Sequence, residues 1–147
     1  MRMTTKCRYG TRAMMEIGKA YGTGSIRLRE IAQKQGISPK YLVHLLASLK
    51  AAGLLKTVRG ARGGYLIDRP PLEIKLSEIF RALEGSPSPT ECVDDSSVCP
   101  KSELCATREL WTQIGDAIRH VLESTTLQDL IDRQKAAEQT KKAMYYI

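Results

Sequence analysis

Apolar residues at helical spacing open the chain. Ala13, Met14, Ile17, Ala20 and Tyr21 recur on one face, and the two glycines of "YGTGS" end the pattern, which predicts a first helix over 5–21. "IRLREIAQKQGISPKYLVHLLASLKAAGLL" then carries two shorter periodic runs separated by Gly36. Ser38 suits the N-cap of the second run, Pro39 its first helical position and Gly53 its end. In "LLKTVRGARGGYLI" the chemistry changes to two β-prone segments, Leu54 to Arg59 and Tyr65 to Asp68, around a basic, glycine-rich tip, which is a hairpin signal closed by Pro70 and Pro71. Leu76, Ile79, Phe80 and Leu83 mark a short amphipathic helix that Gly85 stops. From Ser102 a long helix is predicted, its stripe made by Leu104, Trp111, Ile114, Ile118 and Val121 and broadened by Leu110, Ala117 and Leu122. The rest adds one more short helix and a tail, with no internal repeat or low-complexity segment.

A chain of 147 residues is the size of one compact domain or of a small domain with an added assembly element. The expected fold is mainly α: a helix-turn-helix unit with a small β-hairpin wing, joined to a long C-terminal helix. The division this predicts is 1–84 for the winged unit, 85–105 for a cysteine-bearing loop, and 102–147 for an assembly helix and tail. No stretch approaches the roughly 18 uninterrupted apolar residues of a spanning helix, and the first twenty residues lack a secretory signal's apolar core. A cytoplasmic protein without membrane contact is expected.

The net charge of +7 is unevenly placed. Residues 1–84 hold 16 Lys and Arg against 6 Asp and Glu, and residues 85–147 hold 7 against 10, so the two parts carry +10 and −3. A basic part joined to a mildly acidic one suits a protein in which the first meets nucleic acid and the second assembles or senses.

Helix, glycine turn, second helix and hairpin is the order of a winged helix-turn-helix, whose second helix enters the DNA major groove. On that second helix Leu42, Leu45, Leu46 and Leu49 form the buried side. Ser38, Pro39, Lys40, Tyr41, His44 and Ser48 lie at its start and around the opposite side, where polar side chains and free N–H groups can meet phosphates and base edges. Arg59 and Arg62 sit at the wing tip on a backbone thin enough to approach a groove. The competing reading is a helix-turn-helix used only for packing, and the charge asymmetry weighs against it.

"CVDDSSVCPKSELC" packs Cys92, Cys99 and Cys105 into fourteen residues. A reducing compartment disfavours a permanent disulfide, and C-x6-C-x5-C does not match the paired spacing of structural zinc sites. Soft thiolates on a long loop suit an iron-sulfur cluster. A reversible disulfide used as a redox switch is equally compatible with the spacing. A redox enzyme or a cluster carrier is disfavoured, since no nucleotide loop, catalytic triad or second redox motif is found.

"MRMTTKCRYGTRAM", "QGISPKYLVHLLASLKAAGLLKTVRGARGGYLI", the cysteine triad and "LCATRELWTQIGDAIRHVLESTTLQDLI" together resemble the IscR/NsrR-type (Rrf-two superfamily) bacterial winged helix-turn-helix regulators, in register from Met1 to about Ile131. The resemblance implies a homodimer paired through the helix that carries Leu104, Trp111, Ile114, Ile118 and Val121, bound to a palindromic operator in double-stranded DNA, usually as a repressor. It implies that Cys92, Cys99 and Cys105 ligate a 2Fe-2S or 4Fe-4S cluster that reports iron, cluster supply, nitric oxide or redox state. Other members of the family lack a cluster and respond to a metabolite or a partner protein. The position of the fourth ligand departs from the pattern. Arg108 stands where IscR-like members have a histidine, and Arg8 where NsrR-like members have a carboxylate. An arginine has no free lone pair to offer a metal. Cys7 of the partner subunit is therefore the candidate fourth ligand, ahead of Glu91, Asp94, Asp95 and Glu103. The competing reading of Cys7 is a small buried core residue.

Overall fold

A computed structural model describes residues 3–144. Helix α1 (Thr5–Lys19) is opened by Thr4, whose hydroxyl accepts the Cys7 N–H at 3.3 Å, and it ends two residues before the position expected from its apolar pattern. Helix α2 (Leu28–Gln35) stops at Gly36, whose left-handed backbone, φ 62°, turns the chain into α3 (Pro39–Ala51). Ser38 caps α3 by accepting the Tyr41 N–H at 3.3 Å, with Pro39 in the first turn. Strands β1 (Lys56–Val58) and β2 (Gly64–Leu66) pair antiparallel with Thr57 opposite Tyr65, each shorter than its β-prone sequence. The sheet gains an outer edge from Ile26, whose N–H and C=O both bond to Tyr65 at 3.0 and 2.9 Å. That edge requires glycine at position 64, because a Cβ there would lie 2.3 Å from the Ile26 carbonyl oxygen.

Helix α4 (Leu76–Glu84) follows, then a single helical turn α5 (Glu91–Asp94), two 3-10 turns (Ser96–Val98 and Ser102–Leu104), α6 (Ala106–Ser124) and α7 (Leu127–Met144). The segment predicted as a loop is thus largely a chain of short turns. The long helix starts at Ala106 and not at Ser102: Cys105 is extended, with φ −94° and ψ 103°, so Leu104 falls in the preceding turn and is 98% exposed. Seven-residue spacing to Trp111 placed Leu104 on the stripe, but the backbone break at Cys105 removes it. The last helix is not short, running to Met144, while 145–147 of the expected tail and residues 1 and 2 lie outside the described residues.

The core is one cluster under α1, α2, α3 and α4, in which Met14, Ile17, Leu42, Leu45, Leu46 and Leu49 are all essentially sealed from solvent. Leu127 and Ile131 of α7 belong to the same cluster, at 0 and 2% exposure. The chain leaves the winged unit along α6 and then returns to it. Leu127 donates its N–H to the Ile74 carbonyl at 2.8 Å, and Leu76 donates to Thr125 at 2.9 Å. The packing therefore crosses the boundary expected between the winged unit and the C-terminal part. α6 differs from every other long helix in burying only Gly115.

Candidate nucleic-acid interface and cysteine loop

The four leucines of α3 face the core, so Lys40, His44 and the Ser38–Pro39 entry are turned outward and exposed, with Tyr41 and Ser48 half-buried beside them. Val43, 43% exposed, lies on the same outer side, where no polar side chain marks it. An apolar side chain there can meet a thymine methyl. Tyr41 packs edge-on against Tyr9 of α1, with ring centroids 6.3 Å apart and planes at 76°. Arg8 and Arg12 place their guanidinium carbons 6.0 and 5.5 Å from the Tyr9 ring centroid, so cations of α1 gather near the first turn of α3.

Arg59 and Arg62 are exposed at the wing tip, as expected. The tip is held from behind by residues that no local motif marks. Arg27 donates through Nη2 to the Ala61 carbonyl at 2.8 Å, and Ser25 donates to the Arg62 carbonyl at 2.8 Å. Lys50 at the end of α3 donates to the Thr57 hydroxyl at 3.0 Å, which ties the wing to the recognition helix. The first two contacts cross 34 and 37 residues, so tertiary packing brings them together, while the third spans 7.

In the cysteine segment, Ser88 donates to Asp94 at 2.6 Å, and Ser97 donates its N–H and hydroxyl to Asp95 at 2.9 and 2.6 Å. Bonds from Ser86 and Ser88 hold the Asp94 carboxyl below the usual aspartate range, and Ser97 does the same for Asp95. Ser102, buried, donates to the Ser96 carbonyl at 2.8 Å and closes the turns on themselves. The segment is attached to α6 through Gly115 and Arg108. Gly115 leaves room for Pro89, whose Cδ would lie 3.3 Å from a Cβ added there. Arg108 donates from Nε to the Cys92 carbonyl at 2.7 Å. The arginine that replaces an imidazole in the cluster pattern thus engages the backbone of the first cysteine.

All four cysteines are free thiols. Cys92, Cys99 and Cys105 are half-buried. Cys92 Sγ lies 3.4 Å from the Thr90 hydroxyl and Cys105 Sγ 3.1 Å from that of Thr107. The Thr107 hydroxyl, aided by the Arg108 N–H at the start of α6, draws the Cys105 thiol below its ordinary pKa. Cys7 is different. It is buried in α1, and burial, reinforced by the Glu84 carboxylate, pushes its thiol up. Its N–H is shared between Thr4 and Glu84, the latter at 3.1 Å, and Thr4 also donates to Glu84. This is the setting of a packed core thiol in its own chain. Among the described residues no three His, Cys, Asp or Glu side chains come together closely enough to hold a metal ion. The donor chemistry of the triad suits a soft cluster in kind, while one chain leaves the three thiols ungathered.

On α6, Trp111, Ile114 and Ile118 are half-buried, and Leu110 and Val121 are 49 and 61% exposed. A 19-residue helix with this stripe and a single buried residue has an apolar face that its own chain does not cover.

A recognition helix with an outward polar face, an arginine-tipped wing braced against it and a sheet edge that fixes the wing's position define a winged helix-turn-helix DNA-binding regulator. The chain belongs to the Rrf2 family, described as iron-dependent transcriptional regulators, which matches residues 3–133. It is accordingly a transcriptional regulator and not an enzyme. The chain is 42% identical over its whole length, and the whole length of the relative, to the HTH-type transcriptional regulator CymR of Bacillus subtilis. The solved structure of CymR, the global cysteine regulator of B. subtilis, superposes with a TM-score of 0.76 over 90% of this chain and 98% of that one. T. potens IscR superposes with the same TM-score at 36% identity, over 93% and 90%. Among the described residues no helix is long and apolar enough to cross a membrane.

Proposed function

We propose that the chain is a homodimeric regulator, acting as a repressor at a palindromic operator, in which Cys92, Cys99 and Cys105 hold an iron-sulfur cluster as the sensing centre. The observation that carries this reading is the attachment of the cysteine segment to α6 through Arg108 and Gly115. α6 is also the helix whose uncovered stripe would pair two protomers, so the loop sits on the element that sets the spacing of the recognition helices. Bound there, a cluster would supply a centre responsive to iron and redox state. The chain's own part is to couple loop order to α6. Arg108 releases or retains the Cys92 carbonyl, Pro89 seats or leaves Gly115, and the dimer presents its two recognition helices at a spacing that does or does not match two half-sites. Cys105 has its thiol pKa lowered by the Thr107 hydroxyl and the Arg108 N–H, which favours the thiolate a metal needs.

The same lowered pKa, with the thiols ungathered in one chain, favours a second reading in which the triad is a reversible thiol switch. Anaerobic purification followed by an absorption spectrum and iron and sulfide analysis separates the two. A coloured protein that loses its iron in a Cys92→Ser variant supports the cluster. Colourless, iron-free protein whose DNA affinity changes on mild oxidation supports the switch.

A further inference from the structure

The turn between α2 and α3 consists of Gly36, Ile37 and Ser38, and its direction decides how the recognition helix is presented. Gln35, the last residue of α2, carries one of the carbonyls that a helix end leaves without an internal partner. Arg12 of α1 supplies that partner. Its Nη2 donates to the Gln35 carbonyl at 2.9 Å and its Nε to Gln35 Oε1 at 2.7 Å, two bonds from one planar guanidinium. A cation at this end of α2 is also favoured by the helix dipole. The peptide bond that Arg12 holds is the one that leads into the left-handed backbone of Gly36, φ 62°.

The other half of the Gln35 side chain is held from the same helix. Glu16, buried and one turn along α1 from Arg12, accepts from Gln35 Nε2 at 2.8 Å, and Lys19 keeps that carboxylate paired at 2.9 Å. α1 is a firm reference for these bonds, because Ala13, Met14 and Ile17 are sealed in the core. Arg12 reaches the far side of the turn as well. Its guanidinium carbon stands 5.5 Å from the Tyr9 ring centroid, and Tyr9 meets Tyr41, in the first turn of α3, edge-on at 6.3 Å. The series Gln35, Arg12, Tyr9, Tyr41 therefore grips the end of one helix and the start of the next.

We propose that Arg12 is a positioning residue for DNA reading: by holding Gln35 at the end of α2 and, through Tyr9, Tyr41 at the start of α3, it fixes the angle at which the recognition helix leaves the Gly36 turn. It acts through the turn and not by touching DNA. A tilted recognition helix misplaces the side chains that meet base edges, whereas long, mobile cations still find phosphates. Loss of the clamp therefore falls on discrimination between sequences. The role rests on base reading by α3 and not on the nature of the sensing centre.

The test uses the full chain and fluorescence anisotropy over a salt series on two duplexes: the sequence that the parent protein selects from a random pool, and a scrambled one. Arg12→Lys keeps a cation beside Tyr9, but a single ammonium does not reproduce the fork onto both Gln35 acceptors. Gln35→Ala removes the side-chain acceptor and changes no charge. Both variants are expected to narrow the preference for the selected duplex by about three- to tenfold, with circular dichroism, affinity for the scrambled duplex and its salt slope unchanged. The double variant should lose little more than the larger single loss, since the two residues share one interaction. An equal loss on both duplexes would overturn the inference. So would full binding by Arg12→Lys beside a salt slope lowered by about 1 in Arg12→Gln, which is the behaviour of a phosphate contact. His44→Ala, measured alongside, shows what has failed if the preference survives in Arg12→Lys and Gln35→Ala: narrowing by His44→Ala alone removes the clamp, and narrowing by no variant removes base reading by α3 with it.

Discussion

The Nε of Arg108 and the carbonyl oxygen of Cys92 are joined by a 2.7 Å hydrogen bond that ties the first turn of α6 to the first cysteine of the loop. A charged donor to a backbone acceptor is worth about 1.5–3 kcal/mol at best, and less at a half-exposed site such as this one. Arg108→Ala should leave the winged unit's melting nearly unchanged while releasing the 90–100 segment. Hydrogen exchange by mass spectrometry checks it: faster exchange confined to that segment is expected, and uniform protection across the loop would show that the bond does not restrain it.

Recognition by α3 and the wing separates into two kinds of effect. His44→Ala should cost about 1–3 kcal/mol on the preferred sequence and relax discrimination at one base position, because a base-edge contact carries sequence information. Arg62→Ala should instead weaken binding to all sequences and lower the salt slope by about 1. Competition titrations with operator-like and random duplexes read both, and equal behaviour of the two variants would contradict the proposal that His44 reads a base and Arg62 holds the backbone.

The apolar stripe of α6 predicts the assembly state. Ile118→Glu places a charge where the half-covered Ile114 and Trp111 would meet their counterparts, and sedimentation should shift from dimer to monomer with DNA affinity falling by at least tenfold as the second half-site contact is lost. A variant that sediments like the parent protein would remove α6 from the proposed dimer contact.

α7 begins with a reciprocal cap. The Thr126 N–H and hydroxyl both donate to the Asp129 carboxylate at 2.7 Å, and the Asp129 N–H donates back to the Thr126 hydroxyl at 3.1 Å. The Thr126 N–H, followed by its hydroxyl, holds the Asp129 carboxyl below the usual aspartate range. A carboxylate depressed on folding contributes stability that is fully present above its unfolded pKa and is lost as pH falls through its folded one. Asp129→Ala should lower the melting temperature at neutral pH, and its difference from the parent protein should shrink as the solution is acidified below the ordinary aspartate pKa. A difference independent of pH would remove the carboxylate from the explanation.

Leu127 is completely buried beside Gly18 although it follows the predicted assembly helix. Leu127→Ala should cost about 2–5 kcal/mol in chemical denaturation. A loss under about 1 kcal/mol would mean that α7 is only loosely attached to the winged unit.

What the chain determined by itself is what depends on near neighbours. The i, i+3, i+4, i+7 leucines of α3 oriented its polar face, Ser38 and Pro39 began it, and the glycine-rich tip between β-prone runs made the wing. Each rests on backbone geometry within a turn or two, so periodicity and capping chemistry are sufficient. Leu104 shows the limit of periodicity, since a seven-residue step from Trp111 is matched in sequence while extended backbone at Cys105 ends the helix. Tertiary structure decided the remainder. It returned Leu127 and Ile131 to the core and set Glu84 over the start of α1. It braced the wing with Arg27 and turned Arg108 onto the Cys92 carbonyl. These contacts join residues from 16 positions apart, Arg108 and Cys92, to 113, Ile131 and Gly18, and their partners are selected by how the packed helices come to lie, which no local pattern records.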